Sequence, residues 1–234
     1  MDKKFCFRQM LLATTFLVFA LVLFETSGLD LWLQKIMYQS GSGQWTLDKQ
    51  NEVLRYWFYD EPKKVLGGVL MFMALALALS GQFERLKPYR RGLAIVLVST
   101  AVTVLLVGYL KALTNVPCPK DLGFFGGDYP YITLLHRAES VGSLDRVRCF
   151  PAGHASGGFA LLSLFFLFRR SRNQWLGLGI GMTVGWVLGI YKMLIGDHFL
   201  SHTVTTMLLA WLVSVSVACC VYCLAPERGH EPAR

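Results

Sequence analysis

The sequence predicts an all-α integral membrane protein with six transmembrane helices in a single membrane domain. The chain has 234 residues, of which 54% are hydrophobic and only 16% are charged. This composition is too apolar for an ordinary soluble domain of that length. Six segments also approach the roughly 20 apolar residues that a helix needs to cross a bilayer. They cover residues 8–25, 63–81, 92–110, 153–168, 174–192 and 199–224.

Three of these segments need separate justification. The first follows Lys3, Lys4 and Arg8, as a signal peptide would, but its long apolar core and the poor cleavage site FETSG indicate a retained helix. The second is almost purely apolar only from Val65 to Ser80, and the fourth is similarly short. We expect both to borrow flanking residues or to cross a thin part of the bilayer.

The positions of the basic residues predict the orientation of the helices. A net charge of +8 would suggest nucleic acid for a soluble protein, but here we expect no nucleic-acid partner. Lysine and arginine cluster at the N-terminus and in the short connections 83–91 and 169–172, which favours the cytoplasm over merely scattered surface charge. Both termini should therefore be cytoplasmic. The connections 26–62, 111–152 and 192–199 should lie on the outer side.

The cysteines divide between the spans and the outer loop. Cys118 and Cys149 both lie in the outer loop, where an oxidising compartment would allow a disulfide that ties its ends together; two free thiols are the alternative. Neither cysteine shows the spacing of a metal site. The remaining cysteines lie in or near spans, where a thiol usually behaves as a small hydrophobic group. They are Cys6, Cys219, Cys220 and Cys223.

Two patterns lie where the third and fourth segments meet the outer loop. Lys111 ends the third segment, and a lysine there commonly only extends to the water. The fourth begins with CFPAGHASGG, 149–158, in which Pro151 suits a first helical turn and Gly153 leaves backbone N–H groups open to an anion. His154 could exchange a proton near neutral pH, or merely hydrogen-bond the loop.

A third pattern, YKMLIGDHFLSHTV, connects the fifth and sixth segments. Lys192 and His198 flank a glycine-containing turn, and His198 and His202 share one face if a helix continues through both. Two histidines at this spacing can hold a metal, but no third ligand is evident and we expect none. Two lysines with a helix N-terminus can bind phosphate, while histidines supply a nucleophile and a proton donor. The three patterns together predict phosphoryl transfer.

The stretches KALTNVPCP, PAGH and YKMLIGDHFLSH resemble, in order and spacing, the three motifs of the type 2 phosphatidic acid phosphatase (PAP2) superfamily. Those motifs are KxxxxxxRP, PSGH and SRxxxxxHxxxD, and the resemblance extends over roughly 100–210. It implies a PAP2-like catalytic core at 92–224 within a six-helix bundle. The N-terminal part, 1–91, then holds two spans and an outer loop, of which 40–64 should lie along the membrane surface. The tail, 225–234, should be disordered in the cytoplasm.

The resemblance implies a role for each matching residue. Lys111 and Lys192, with the backbone around Gly153, would bind phosphate. His198 would attack phosphorus to form a phosphohistidine, and His154 would protonate the leaving oxygen. Such covalent catalysis divides one difficult step into two easier ones, and the resemblance implies that it needs no metal or other cofactor.

Four positions depart from the family motifs. Cys118 and Lys192 stand where arginine is usual, Ala152 replaces serine, and His202 replaces the aspartate that orients the nucleophile. A neutral His202 can accept a hydrogen bond from His198 but stabilises a cationic imidazole less than a carboxylate does. Other charged residues are candidates to rebuild the site. They are Asp121, Asp197, Lys120, Arg137, Arg146 and Arg148.

The sequence therefore predicts a phosphatase of lipid phosphates or diphosphates, acting at the periplasmic face of the bacterial inner membrane. The alternatives are a lipid phosphotransferase of the same fold, a catalytically decayed phosphate-lipid binding protein, and a transporter or structural membrane protein. The resemblance does not choose among four classes of lipid substrate, which are isoprenyl diphosphate, phosphatidylglycerophosphate, phosphatidate and lipid A phosphate. We expect the aromatic loop segment 124–137 to select it, or to rest as a lid at the interface.

Overall fold

The structure is a computed structural model and describes residues 3–39, 41–135 and 145–224. Within them the fold is helical apart from one short hairpin. The α-helices are α1 (Lys3–Ser27), α2 (Leu29–Met37), α3 (Glu52–Arg55), α4 (Glu61–Leu79), α5 (Arg90–Thr114), α6 (Gly153–Ala160), α7 (Ser171–Leu194) and α8 (Leu200–Leu224). The shorter elements are the strands β1 (Tyr38–Gln39) and β2 (Gln44–Trp45), a π-helical turn (Tyr56–Asp60) and 3₁₀ turns at Lys87–Tyr89, Pro119–Asp121, Gly123–Phe125 and Leu161–Phe166.

Helix length and composition indicate an integral membrane protein. Among the described residues, five helical segments are long and apolar enough to cross a bilayer. They are Lys3–Ser27, Glu52–Leu79, Lys87–Asp121, Ser171–Leu194 and Leu200–Cys223. The other predicted span, 153–168, forms the shorter apolar helix Gly153–Phe166. The six-span arrangement therefore stays a prediction.

The second span differs from its prediction. Helix is continuous from Glu52 to Leu79, so residues 52–62, which we expected in a connection, belong to the same helix as the apolar stretch. The side chain of Asn51 caps this helix by accepting a hydrogen bond from the Leu54 N–H at 3.1 Å. We took the polar residues here for a loop, although polar side chains can also lie along the exposed surface of a helix. The π-helical turn within this segment carries aromatic residues to the site described below.

Close helix packing fixes the position of α6. This helix packs against α5, α7 and α8, and α8 in turn contacts α1. A Cβ atom added at Gly158 would lie 2.8 Å from Cα of Gly185 on α7, so the two helices approach closely at a pair of glycines. Small residues of this kind allow membrane helices to pack backbone to backbone. The packing holds the first turn of α6 beside the last turn of α5.

Two disulfides cross-link distant parts of the chain. Cys118 and Cys149, whose pairing the sequence left open, are bonded with their Cα atoms 5.2 Å apart. A second disulfide joins Cys6 to Cys219, with Cα atoms 6.0 Å apart, where we expected unpaired thiols. That expectation was wrong because it considered each span alone, whereas α1 and α8 pack side by side. Two predictions, the disordered tail 225–234 and a supporting role for Arg137, concern residues outside the described part of the chain.

Candidate active site

His198 lies in a tight connection between α7 and α8. The connection turns at Gly196, whose φ of 71° is a left-handed conformation that favours glycine. Helix α8 begins only at Leu200, so His198 precedes the helix on which we expected it to share a face with His202. The two rings nevertheless meet, with their Nδ1 atoms 3.4 Å apart. Both histidines are buried, with 5% and 1% of their surface exposed.

The protonation of His198 suits a nucleophile. Burial, followed by the nearby His202 and Lys111, lowers the pKa of the His198 imidazole well below its ordinary value. The ring is therefore neutral near neutral pH. In the pair of Nδ1 atoms one nitrogen must donate and the other accept. With His198 Nδ1 as the donor, the lone pair of His198 lies on Nε2, the nitrogen free to attack.

Helix α2 holds the backbone on either side of the start of α8. The Gln34 side-chain amide donates a 2.8 Å hydrogen bond to the His198 carbonyl oxygen. The Asp30 carboxylate accepts one of 2.9 Å from the Ser201 N–H, at the otherwise unpaired first turn of α8. Burial raises the pKa of Asp30 to about 6, so this carboxylate is ionised at neutral pH. Neither residue was predicted from the sequence, where their one signal is a polar pair four residues apart in the mostly apolar LDLWLQKIM.

Asp197 gathers three lysines from different parts of the chain. Its carboxylate is 2.7 Å from Lys120 Nζ, 2.8 Å from Lys192 Nζ and 3.3 Å from Lys49 Nζ. Burial alone would raise the pKa of Asp197, but the hydrogen bonds from Lys120 and Lys192 hold it well below its usual value. Asp197 therefore stays ionised and orders the basic groups beside His198. Lys49 belongs to the N-terminal part of the chain and was not predicted from the sequence.

The first turn of α6 approaches Lys111 closely. A Cβ atom at Gly153 would lie 3.3 Å from Lys111 Nζ, so a larger residue there would displace the end of the Lys111 side chain. His154 Nε2 lies 2.8 Å from the carbonyl oxygen of Phe58, which can only accept, so Nε2 carries the proton. The His154 ring also stacks on Tyr59, with centroids 4.8 Å apart. The aromatic residues of the π-helical turn thus orient His154, a contact that sequence spacing does not show.

A cavity of about 480 Å³ lies beside His198. It brings together most of the predicted site residues: Lys111, Lys120, Arg148, Gly153, His154, Lys192, Asp197 and His198. His202 lies behind His198, outside the lining. Asp121 also lies outside it and instead accepts a hydrogen bond from the Cys118 N–H at 3.3 Å. Tyr59 and Lys63 line the cavity and were not predicted.

The charge of the cavity suits an anion. Its described lining includes five basic side chains, Lys63, Lys111, Lys120, Arg148 and Lys192, and one carboxylate, that of Asp197. An apolar wall in which one sign of charge predominates concentrates the field and attracts ligands of the opposite sign. The geometry therefore combines an anion receptor with a neutral, buried imidazole that faces it.

The chain was compared with known families and structures. The model of the PAP2 superfamily matches residues 92–224, which run from α5 to the end of α8 and include all three motifs. No individual curated protein and no solved structure matches the chain.

Replacing Asp197 tests the role of its carboxylate. We expect Asp197→Asn to lower the thermal unfolding midpoint in detergent, at a cost of up to about 3 kcal/mol, because the lysine ammonium groups lose their shared counter-charge. Inorganic phosphate should restore part of the loss and raise the midpoint more than in the unsubstituted protein. Asp121→Asn, outside the cavity, is the control. Equal midpoints and equal phosphate responses in the two variants would contradict the assignment.

Proposed function

The chain belongs to the PAP2 superfamily, and on that premise we propose that it hydrolyses lipid phosphates or diphosphates through a phosphohistidine, without a metal. The observation that carries the proposal is the buried, neutral His198, held against His202 at one wall of a basic cavity. A neutral imidazole is a competent nucleophile, and the basic lining would hold the phosphate against it.

The proposed reaction uses the residues in two steps. Lys111, Lys192 and the backbone at Gly153 bind the phosphate oxygens and stabilise their charge in the transition state. His198 Nε2 forms a bond to phosphorus as the bond to the leaving oxygen breaks, and the protonated, cationic form of His154 gives that oxygen a proton and becomes neutral. Water then attacks the phosphohistidine, loses a proton to His154 and releases phosphate and free His198.

Two neighbouring groups prepare the histidines for these steps. His202 accepts the Nδ1 hydrogen of His198 and so keeps the proton off Nε2. His154 donates from Nε2 to Phe58 in the structure, so it must exchange that hydrogen bond for one to the leaving oxygen when substrate binds. Such rearrangement is common between a free enzyme and its substrate complex.

The cavity wall supports a lipid as the substrate. Leu66, Val104 and Leu188 line it beside the charged groups, and they come from three different apolar helices. A head group among the lysines could therefore extend its hydrocarbon chain between the spans. We propose an isoprenyl diphosphate, phosphatidylglycerophosphate, phosphatidate or a lipid A phosphate, met at the periplasmic face of a bacterial inner membrane. The basic connections support cytoplasmic termini.

Substitution of the nucleophile tests the reaction directly. We expect His198→Ala to reduce phosphate release from the responsive lipid to the background rate, because the variant lacks the imidazole that attacks phosphorus. The measurement is inorganic phosphate released from a panel of lipid phosphates by purified protein in detergent, with and without chelator. An unchanged unfolding midpoint is the control for folding. Substantial activity in the variant would move the nucleophile elsewhere, and no release by the unsubstituted protein would favour a binding protein.

The histidine behind the nucleophile allows a paired test. We expect His202→Asp to retain most of the phosphate release, because a carboxylate can accept the His198 Nδ1 hydrogen as the family motif does. His202→Ala should lose at least about tenfold in kcat, since it leaves His198 without that acceptor. Complete inactivity of a folded His202→Asp variant would contradict a purely orienting role for His202.

Labelling of introduced cysteines tests the topology. In a chain with serine at Cys220 and Cys223, we expect Lys87→Cys and Asp128→Cys to react with a membrane-impermeant maleimide from opposite sides. Positions 87 and 128 are both exposed in the structure. A lack of reaction from one side would therefore mean that the membrane, and not burial within the protein, keeps the reagent from the cysteine. Labelling of both from the same side would contradict the six-span arrangement.

A further inference from the structure

Cys149, His198 and His202 form a cluster around Nδ1 of His198, the nitrogen that does not attack in the proposed reaction. Cys149 Sγ lies 3.5 Å from His198 Nδ1, which lies 3.4 Å from His202 Nδ1. One ligand atom from each of the three residues lies within 4.8 Å of the other two. The three residues are buried, and the proposed hydrolysis uses only the contact between the histidines.

The two separations that involve His198 Nδ1 match the ligand spacing of tetrahedral zinc. Zinc binds imidazole nitrogen at about 2.0–2.1 Å and thiolate sulfur at about 2.3 Å. Tetrahedral angles then place two nitrogen ligands about 3.3 Å apart, and a nitrogen and a sulfur ligand about 3.6 Å apart. Two imidazoles and one thiolate leave a fourth position for water. Cys149 and His198 both line the cavity, which gives the ion a path to the cluster.

The disulfide controls whether the third ligand exists. While Cys149 is bonded to Cys118 it has no thiolate to offer. A dithiol reductant breaks that bond by supplying two electrons and two protons, so Cys118 and Cys149 become thiols and the reductant becomes a disulfide. The Cys149 thiol then releases its proton as it binds the metal.

We propose that reduction of the Cys118–Cys149 disulfide creates a zinc site from Cys149, His198 and His202, and that zinc bound there blocks the nucleophile. A metal on Nδ1 of a neutral imidazole leaves the ring proton on Nε2, the atom that must attack phosphorus. The blocking effect rests on the proposed function, whereas zinc binding does not.

The surrounding charge makes the site selective. Lys111 and Lys192 oppose any cation near His198, and the thiolate offsets only part of this repulsion. A metal must therefore gain strongly from imidazole and thiolate ligands, as Zn²⁺ and Co²⁺ do. We expect Mg²⁺ and Ca²⁺, which prefer oxygen ligands, not to bind.

Two variants separate the metal ligand from the loss of the disulfide. Cys118→Ser leaves Cys149 as a thiol without any reductant, and the double variant with Cys149→Ser removes the thiol as well. Both keep the other four cysteines. The number of bound zinc ions is measured by competition against a chromophoric chelator. We expect Cys118→Ser to bind one more zinc ion per chain than the double variant binds. With cobalt, only Cys118→Ser should show the added thiolate charge-transfer absorption, and His202→Ala in that background should abolish it.

Equal zinc counts and equal cobalt spectra in the two variants would overturn the site. If Cys118→Ser does not fold, the same measurements compare unsubstituted protein before and after dithiol treatment, with the reductant removed before metal is added. One more zinc ion after reduction supports the site, and no gain overturns it.

Phosphate release tests the blocking effect separately. Cys118→Ser is given one zinc ion per chain more than the double variant binds. This zinc should reduce the phosphate release of Cys118→Ser at least tenfold, and chelator should restore it. The double variant should keep its own rate at the same zinc concentration. Zinc binding without inhibition would overturn the blocking effect. If the unsubstituted protein releases no phosphate, the proposed function fails, while the zinc count still decides the site.

Discussion

The site depends on one buried carboxylate that holds three ammonium groups in place. Asp197 contacts Lys49, Lys120 and Lys192, which reach it from three separate parts of the chain. Like charges this close repel strongly in a medium of low dielectric constant, and the carboxylate makes their approach favourable. The adjacent residue in the chain is His198. The same turn therefore fixes both His198, the proposed nucleophile, and the positive charges beside it.

Several contacts fix the backbone of that turn. Gly196 supplies its left-handed conformation, Gln34 binds the His198 carbonyl oxygen, and Asp30 binds the first turn of α8. These contacts join the N-terminal part of the chain to the catalytic core. The short helix α2 is thus a support for the nucleophile, although it contributes no atom to the cavity. Precise placement of a catalytic group commonly requires this kind of surrounding support.

The sequence predicted those parts of the site that depend on local spacing. Five predicted residues meet in one cavity because each lies near a helix end on the same side of the bundle. They are Lys111, Gly153, His154, Lys192 and His198. Helix ends on one side of a bundle necessarily come together, so motif order and span boundaries were sufficient for this prediction. The family match to residues 92–224 agrees with the position of these motifs.

The sequence could not predict contacts that depend on how distant segments pack. The hydrogen bond from His154 to Phe58 and the stacking on Tyr59 require the second span to begin well before its apolar stretch. The disulfide between Cys6 and Cys219 requires α1 to lie beside α8. Neither arrangement has a periodic or compositional signal, because the residues involved are ordinary in their local sequence.

The contacts of the residues that depart from the family motifs connect these departures with one another. Considered singly, Cys118 and His202 are losses of an arginine and a carboxylate. In the structure Cys118 bonds Cys149, Cys149 contacts His198, and His198 contacts His202, so both departures act on the Nδ1 side of one imidazole. Lys120, two residues after Cys118, brings a positive charge to the cavity through Asp197. Cys118 and His202 thus belong to one connected set of contacts around His198, and this connection supports the proposal of a rebuilt site over independent losses.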